Sequence, residues 1–379
     1  MPDIRFFRDS TGANIAYAVH GEGPLVICPP WWVSHVEKDW TSQPFREFFG
    51  ILGEGLRVLR YDRPGVGLSD RKSGPGTFED EVRLLQEVAD VAGETGYGLF
   101  AASFGGPIVI HHAVGHPEHV RRICFFGSFM DGSDLGTPEI RQAFLAVVHA
   151  HWGMAARAIA DVLFPDEPRE TVRFSAQMMR DSASAKAAGQ ILEMAYNSTS
   201  SGIVEHVAAD CLVLHREEDR AVPYEAGRAL ASRLRKSRLV TCRGTAHPPW
   251  FQGAVVARLA NSFLRGAGLD EASTDPGQPL RDPACRLDVE NRSLVVEGRI
   301  IDLTPLEYGV LRLLVDRANQ VVTRDVLLAE VWNKAFEGSN RIDVVISALR
   351  KKLANWAPSV ETVTGHGYRF TRWQQKLSG

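Results

Sequence analysis

Gly98-Leu99-Phe100-Ala101-Ala102-Ser103-Phe104-Gly105-Gly106 reads as an apolar strand running into a sharp turn and then a helix. The turn puts Ser103 at the end of the strand. Small neighbours, Ala101, Gly105 and Gly106, let the backbone double back while the hydroxyl is lifted clear of the sheet. This is the shape of a nucleophile elbow, with Ala101 where the first glycine of such a turn usually stands. A serine between small residues at a strand end is more often structural than chemical, so its meaning depends on partners elsewhere.

Outward from that turn, the first two-thirds of the chain alternates buried strands with helices. Ile4–Phe7 and Asn14–Ala18 form a hairpin around Asp9-Ser10-Thr11-Gly12, and Leu25–Cys28, Val58–Tyr61 and Arg122–Phe126 are unbroken apolar strands of the kind covered on both faces. Between about Asp131 and Val207 the alternation stops, and only helical stretches remain, Arg141–Phe164 and Thr171–Ala195 among them. Such an insertion is expected over the active edge of a sheet as a lid, with Trp152, Met178, Met179 and Met194 lining an apolar ligand pocket. Alternation resumes with Cys211–His215 and ends with a helix over Phe251–Phe263. Residues 266–283, rich in Gly, Ser, Pro and Asp, read as a linker.

The bulk composition agrees with two folded domains in 379 residues. Five cysteines without a Cys-x-x-Cys spacing argue against a disulfide framework and against zinc, and no metal or cofactor is expected. There is no apolar run of the ~20 residues that a membrane helix requires, and no signal-peptide pattern at the start. A cytoplasmic protein with no membrane partner is the expectation. Within a net charge of −3 the segment from residue 280 onward is mildly basic and the rest acidic.

Ser103, Asp219 and His247 each follow a buried strand, in the order nucleophile, acid, base. A serine hydroxyl needs a base to take its proton, and the base needs an acid to hold its tautomer. The backbone N–H of Phe104, with one from Trp31 or Trp32, would form the oxyanion hole, because Pro29 and Pro30 have no N–H to donate. Residues 4–265 resemble the α/β-hydrolase superfamily, through Tyr61-Asp62-Arg63-Pro64-Gly65-Val66-Gly67-Leu68-Ser69, Ala102-Ser103-Phe104-Gly105-Gly106, Leu214-His215 with Asp219-Arg220-Ala221-Val222-Pro223, and Gly244-Thr245-Ala246-His247. The resemblance implies a serine-nucleophile site with Asp219 as acid and His247 as base.

From Cys285 the register changes to short strands followed by Thr304-Pro305-Leu306-Glu307, a capped helix start. Helices over Pro305–Asp316, Arg324–Val331 and Asn340–Leu353 follow, then a hairpin with a glycine turn in Glu361–Phe370. In the third helix Ile342, Ile346, Leu349 and Leu353 make one buried stripe. The whole segment resembles the winged-helix DNA-binding domain of OmpR/PhoB-type regulators, through Leu303–Tyr308, Arg341–Leu353 and Gly365-His366-Gly367-Tyr368-Arg369-Phe370. That resemblance implies DNA contacts from Arg341, Val345, Arg350, Lys351, Thr364 and Arg369, and assigns Trp332–Ser339 to a loop able to touch RNA polymerase.

The expected architecture is therefore α/β, an α/β-hydrolase fold with a helical lid (residues 1–265, lid about 131–207), a linker (266–283), and a small α+β winged helix-turn-helix domain (284–379). The expected function is a one-component DNA-binding transcriptional regulator whose hydrolase domain senses, and in one version hydrolyses, a small largely apolar ester- or lactone-like ligand. Its partners would be DNA, that ligand, RNA polymerase and a second copy in a homodimer. The competing reading is an active serine esterase or lactonase with an accessory winged-helix module.

Overall fold

The computed structural model describes residues 2–267, 285–288, 293–296, 299–317, 320–331 and 340–370. Its chain divides into two units, Met1–Ala272 and Ser273–Gly379.

In the first unit the elements run β1 (Asp3–Arg8), β2 (Asn14–His20), β3 (Leu25–Cys28), α1 (Gln43–Leu52), β4 (Arg57–Tyr61), α2 (Phe78–Ala92), β5 (Tyr97–Ala102), α3 (Gly105–Gly115), β6 (Val120–Phe126), then α4 (Pro138–Ala150), α5 (Trp152–Leu163), α6 (Arg169–Ser182), α7 (Ala185–Asn197), and finally β7 (Asp210–Arg216), α8 (Tyr224–Arg233), β8 (Ser237–Cys242) and α9 (Ala254–Arg265). One eight-stranded sheet carries them in the order β1-β2-β4-β3-β5-β6-β7-β8. The hairpin β1–β2 and the β2–β4 pair are antiparallel, and every other pairing is parallel. Every residue of β3 and β5 is buried, as their continuous apolar composition requires of strands covered on both faces. Alternate side chains feed two cores: Leu25 and Ile27 enter one, Val26 and Cys28 the other.

The insertion between β6 and β7 is helical, as expected, but each long helical stretch is two helices. His151 ends α4 and caps α5 by accepting the Met154 N–H (3.1 Å). Ala183 and Ser184 break α6 from α7 because Ala183 is extended and bridges to Val66, while the Ser184 hydroxyl caps the next helix. Side-chain capping competes with helix continuation, and a periodicity count does not register it.

The second unit holds an antiparallel sheet of β9 (Cys285–Asp288), β10 (Ser293–Val296) and β11 (Arg299–Asp302), helices α10 (Pro305–Asp316), α11 (Arg324–Val331) and α12 (Asn340–Leu353), and a second small sheet of β12 (Val322–Thr323), β13 (Val360–Val363) and β14 (Gly367–Phe370) in the order β12-β14-β13. The capping box at α10 is complete: the Glu307 N–H donates to the Thr304 hydroxyl at 3.3 Å and the Thr304 N–H to the Glu307 carboxylate at 2.7 Å. Residues 268–283 of the expected linker, the expected polymerase loop Trp332–Ser339 and the side chain of Arg341 lie outside the described residues. Among the described residues no helix is long and apolar enough to cross a membrane.

Candidate functional site

At the end of β5 the chain turns through Ser103, which has φ +52°, a left-handed conformation uncommon for a residue with a Cβ. The turn is held from both sides. The Ser103 N–H donates to Phe126 O (3.0 Å), and its carbonyl accepts from the Gly106 N–H (3.0 Å) and the Ser128 hydroxyl (2.7 Å). A Cβ on Gly106 would overlap that Ser128 hydroxyl, so this glycine is required by packing, whereas one on Gly105 would meet only an ordinary contact with Pro29 at 3.4 Å.

Asp219 and His247 stand on the loops after β7 and β8. The Asp219 Oδ2 to His247 Nδ1 distance is 2.7 Å, and both residues are buried. The second carboxylate oxygen accepts the N–H groups of Ala221 (2.9 Å) and Val222 (3.1 Å). Burial pushes the Asp219 carboxyl up, but the charge and hydrogen bond of His247, the Val222 N–H and the nearby His215 outweigh it and hold it below its ordinary value. Gly127, at φ +52°, passes close beneath the pair; its Cβ would stand 3.2 Å from Asp219 Oδ2.

Ser103 and His247 line one cavity of about 500 Å³, together with Trp31, Trp32 and Phe104. Among the described residues no hydrogen bond joins the Ser103 hydroxyl to the imidazole, and such bonds often tighten only when a substrate is present. The N–H groups of Phe104, Trp31 and Trp32 have no backbone acceptor among the described residues. The wall is mostly apolar, with Phe45, Phe129, Phe144, Phe164, Phe174 and Trp250 contributing from the core, the helical insertion and the His247 loop. The main-chain N–H of His247 donates to Leu163 O at 2.8 Å, which ties this loop to the end of α5, a helix that also lines the cavity.

Of the four residues expected to line the pocket, Met178 and Met179 do, and Trp152 and Met194 do not. The Trp152 indole donates to Ala183 O (2.9 Å) and stands edge-on to Trp32 (5.8 Å), so it ties α5 to the α6–α7 break and to the segment after β3 instead. Met194 packs from α7 against the main core. Helix phase decides which apolar side chain faces a cavity, and several phases satisfy the same composition. The aromatic residues of Pro248-Pro249-Trp250-Phe251, next to His247, were the available signal for the missed lining.

In the second unit the stripe Ile342, Ile346, Leu349, Leu353 is buried as expected. Of the candidate contacts, Lys351 and Thr364 are exposed, while Val345, Arg350 and Arg369 are partly taken up within the unit. Val345 is half-buried against the core. The Arg350 guanidinium donates to Val360 O (2.7 and 3.0 Å) and the Thr362 hydroxyl (2.9 Å), and Arg369 pairs with Glu361 (2.8 Å), so both bind the unit's own hairpin. The solvent face of α12 is Val344, 67% exposed, with Ser347 and Lys351. The signal was in the sequence: at 100° per residue Val344 and Lys351 sit about 170° from the centre of the buried stripe, Val345 and Arg350 only about 70°. Thr364 is exposed at the hairpin turn beside Gly365, whose φ is +77°.

A family model described as "Alpha/beta hydrolase family" matches residues 18–259, and one described as "Transcriptional regulatory protein, C terminal" matches residues 298–370. The virulence transcriptional regulatory protein PhoP of Salmonella typhimurium is 31% identical over 125 residues, 32% of this chain and 53% of PhoP. The chain thus spans about half the length of the curated relatives it matches. An esterase (EaEST) from Exiguobacterium antarcticum superposes with a TM-score of 0.61 at 18% identity, covering 69% of this chain and 98% of the esterase. A bromoperoxidase from Bacillus anthracis gives 0.59 at 17%, covering 70% and 98%. An esterase and a bromoperoxidase share the fold, so the fold by itself selects no reaction.

Proposed function

The chain belongs to the alpha/beta hydrolase family, and from that premise we propose a one-component transcriptional regulator whose hydrolase unit receives a small, largely apolar ester or lactone. The observation that carries this reading is the apolar cavity of about 500 Å³, with Ser103 and His247 on its wall, in a chain that also holds a DNA-binding regulatory domain. Its volume suits a small organic ligand. Ligand pressing on the lid would reach His247 through the bond to Leu163, and a ligand that favours one of two states shifts DNA affinity by its differential binding to them. Winged helices read short half-sites, so a homodimer on repeated sites, working in the cytoplasm with RNA polymerase as partner, completes the proposal.

The second reading, an active esterase or lactonase with an accessory DNA-binding module, is favoured by the Asp219–His247 bond of 2.7 Å, an arrangement suited to turnover. Footprinting on DNA upstream of the protein's own and neighbouring genes, at near-physiological salt with competitor DNA, separates the two. A specific footprint that changes with an ester or lactone panel is expected. Ester turnover with no specific footprint under any ligand would sink the regulator.

The face of α12 makes a further expectation. Lys351→Ala should weaken binding across sequences and reduce the salt slope by about 1. Val344→Ala should cost about 1 kcal/mol at a single A·T position, through a lost thymine-methyl contact. Because Val344 is 67% exposed, its loss should change unfolding by under about 0.5 kcal/mol. Arg350→Ala, in contrast, should destabilise the unit by about 1–3 kcal/mol, since its hydrogen bonds are internal. Thermal unfolding beside DNA titration reads all three.

A further inference from the structure

Strand β7 ends in His215-Arg216, and successive residues of a strand point to opposite faces of the sheet. His215 goes to the side of α8. Its Nε2 stands 2.9 Å from Val222 O, an acceptor only, so that nitrogen carries the proton. A Cβ on Gly227 would overlap the other ring nitrogen, and the Tyr224 ring stands edge-on at 5.8 Å. The loop fastened in this way is the one that carries Asp219, whose Oδ2 lies 3.9 Å from the same Nε2.

Arg216 goes to the other side, fully buried over the ring of Phe126 at 5.2 Å, and the Phe126 carbonyl is the one that holds the Ser103 N–H. Its guanidinium donates to four main-chain carbonyls of one loop: Arg243 (3.2 Å), Ala246, Pro248 (3.1 Å) and Phe251. That loop carries His247 and has no regular secondary structure between β8 and α9. Buried carbonyls need donors, and here one side chain supplies what a strand or helix ladder supplies elsewhere. Burial lowers the Arg216 pKa to about 10, which still leaves it charged at neutral pH.

We propose that His215 and Arg216 are positioning residues for the reaction assigned above, His215 setting the loop of Asp219 and Arg216 the loop of His247. One strand end then determines the separation of acid and base from the two faces of the sheet. The inference rests on the reading of Ser103, Asp219 and His247 as a triad. Lysine at 216 would keep the charge but offers its donors from one nitrogen, which cannot span four carbonyls as the planar fork does.

The test uses the full chain and a fluorophosphonate, which phosphonylates an activated serine oxygen and releases fluoride. Arg216→Lys is expected to slow labelling at saturating reagent about 100-fold, with the half-saturating concentration within about twofold of wild type, as misplacement rather than lost binding requires. His215→Leu should also slow it, and His215→Gln, which keeps a donor for Val222 O, should recover most of the rate. The far-downfield imidazole proton shared by His247 and Asp219 gives a readout independent of reactivity, expected in wild type and lost in Arg216→Lys. Wild-type labelling and an unchanged proton signal in a folded Arg216→Lys overturn the proposal, as does equal labelling of His215→Leu and wild type. If wild type is never labelled, yet the proton is present and is lost on substitution, the triad reading falls and the positioning role stands.

Discussion

Ser103→Ala is expected to abolish fluorophosphonate labelling and any ester hydrolysis, a loss of at least about 10³-fold, while DNA binding and the unfolding midpoint stay as in wild type. The division follows from what the side chain touches. The Ser103 hydroxyl has no hydrogen bond among the described residues, whereas the turn around it is held by main-chain bonds to Phe126, Gly106 and the Ser128 hydroxyl. Removing one oxygen therefore leaves the turn intact. Ser103→Gly sharpens the test: glycine adopts φ +52° without steric cost, so it should lose all labelling yet gain about 1 kcal/mol of stability. Under the proposed function, the left-handed conformation at Ser103 is strain that the turn holds for the sake of the hydroxyl. Wild-type hydrolysis in Ser103→Ala would remove Ser103 from the proposed mechanism, and a lost footprint in that variant would mean that the hydroxyl matters to the DNA-bound state.

What was legible in the chain was what depends on neighbours in sequence. The buried strands stand out as apolar runs, the α10 cap as Thr304-Pro305-Leu306-Glu307, and the order Ser103, Asp219, His247 as turns after strands, because each signal is contained within ten residues. The pocket was half legible: Met178 and Met179 line it, while the Trp152 indole is taken up by Ala183, a bond between two helices that no local pattern announces. Arg216 was invisible for the same reason in stronger form. Its acceptors lie 27 to 35 residues further along the chain, and a lone arginine after an apolar strand reads as a solvated strand end. The face of α12 differs again, since its phase was computable: Val344 lies opposite the buried stripe and is the exposed one, whereas Val345 was assigned to DNA through the resemblance.

Arg63→Met is expected to cost the first unit about 3–5 kcal/mol. Arg63 is fully buried and Glu81 is 1% exposed, with Nε and Oε2 3.4 Å apart, too loose for a hydrogen bond but close enough for each to offset the other's desolvation. Burial raises the Glu81 carboxyl above its ordinary value and Arg63 pulls it back down, so without Arg63 it rises further. A carboxyl whose folded pKa exceeds its unfolded one destabilises the fold as pH climbs past the unfolded value, so the penalty should grow with rising pH and vanish below the unfolded value. Arg63→Met with Glu81→Leu removes both charges and should recover most of the stability in a urea titration, since a buried pair exchanged for apolar residues is often close to neutral. Reactivity should not return with it. The Arg63 guanidinium also donates to Pro30 O at 2.8 Å and lies 5.4 Å from the Phe104 ring centre, so it holds the turn before Trp31 and the residue after Ser103, the two sides of the proposed oxyanion hole. A double variant that regains stability but labels slowly therefore separates the two roles of one buried cation, the electrostatic one met by any neutral pair and the directional one met only by the donor at Pro30. Equal stability of the single and double variants would show that Glu81 finds another partner, and full labelling in the double variant would place the oxyanion donors beyond the reach of Arg63.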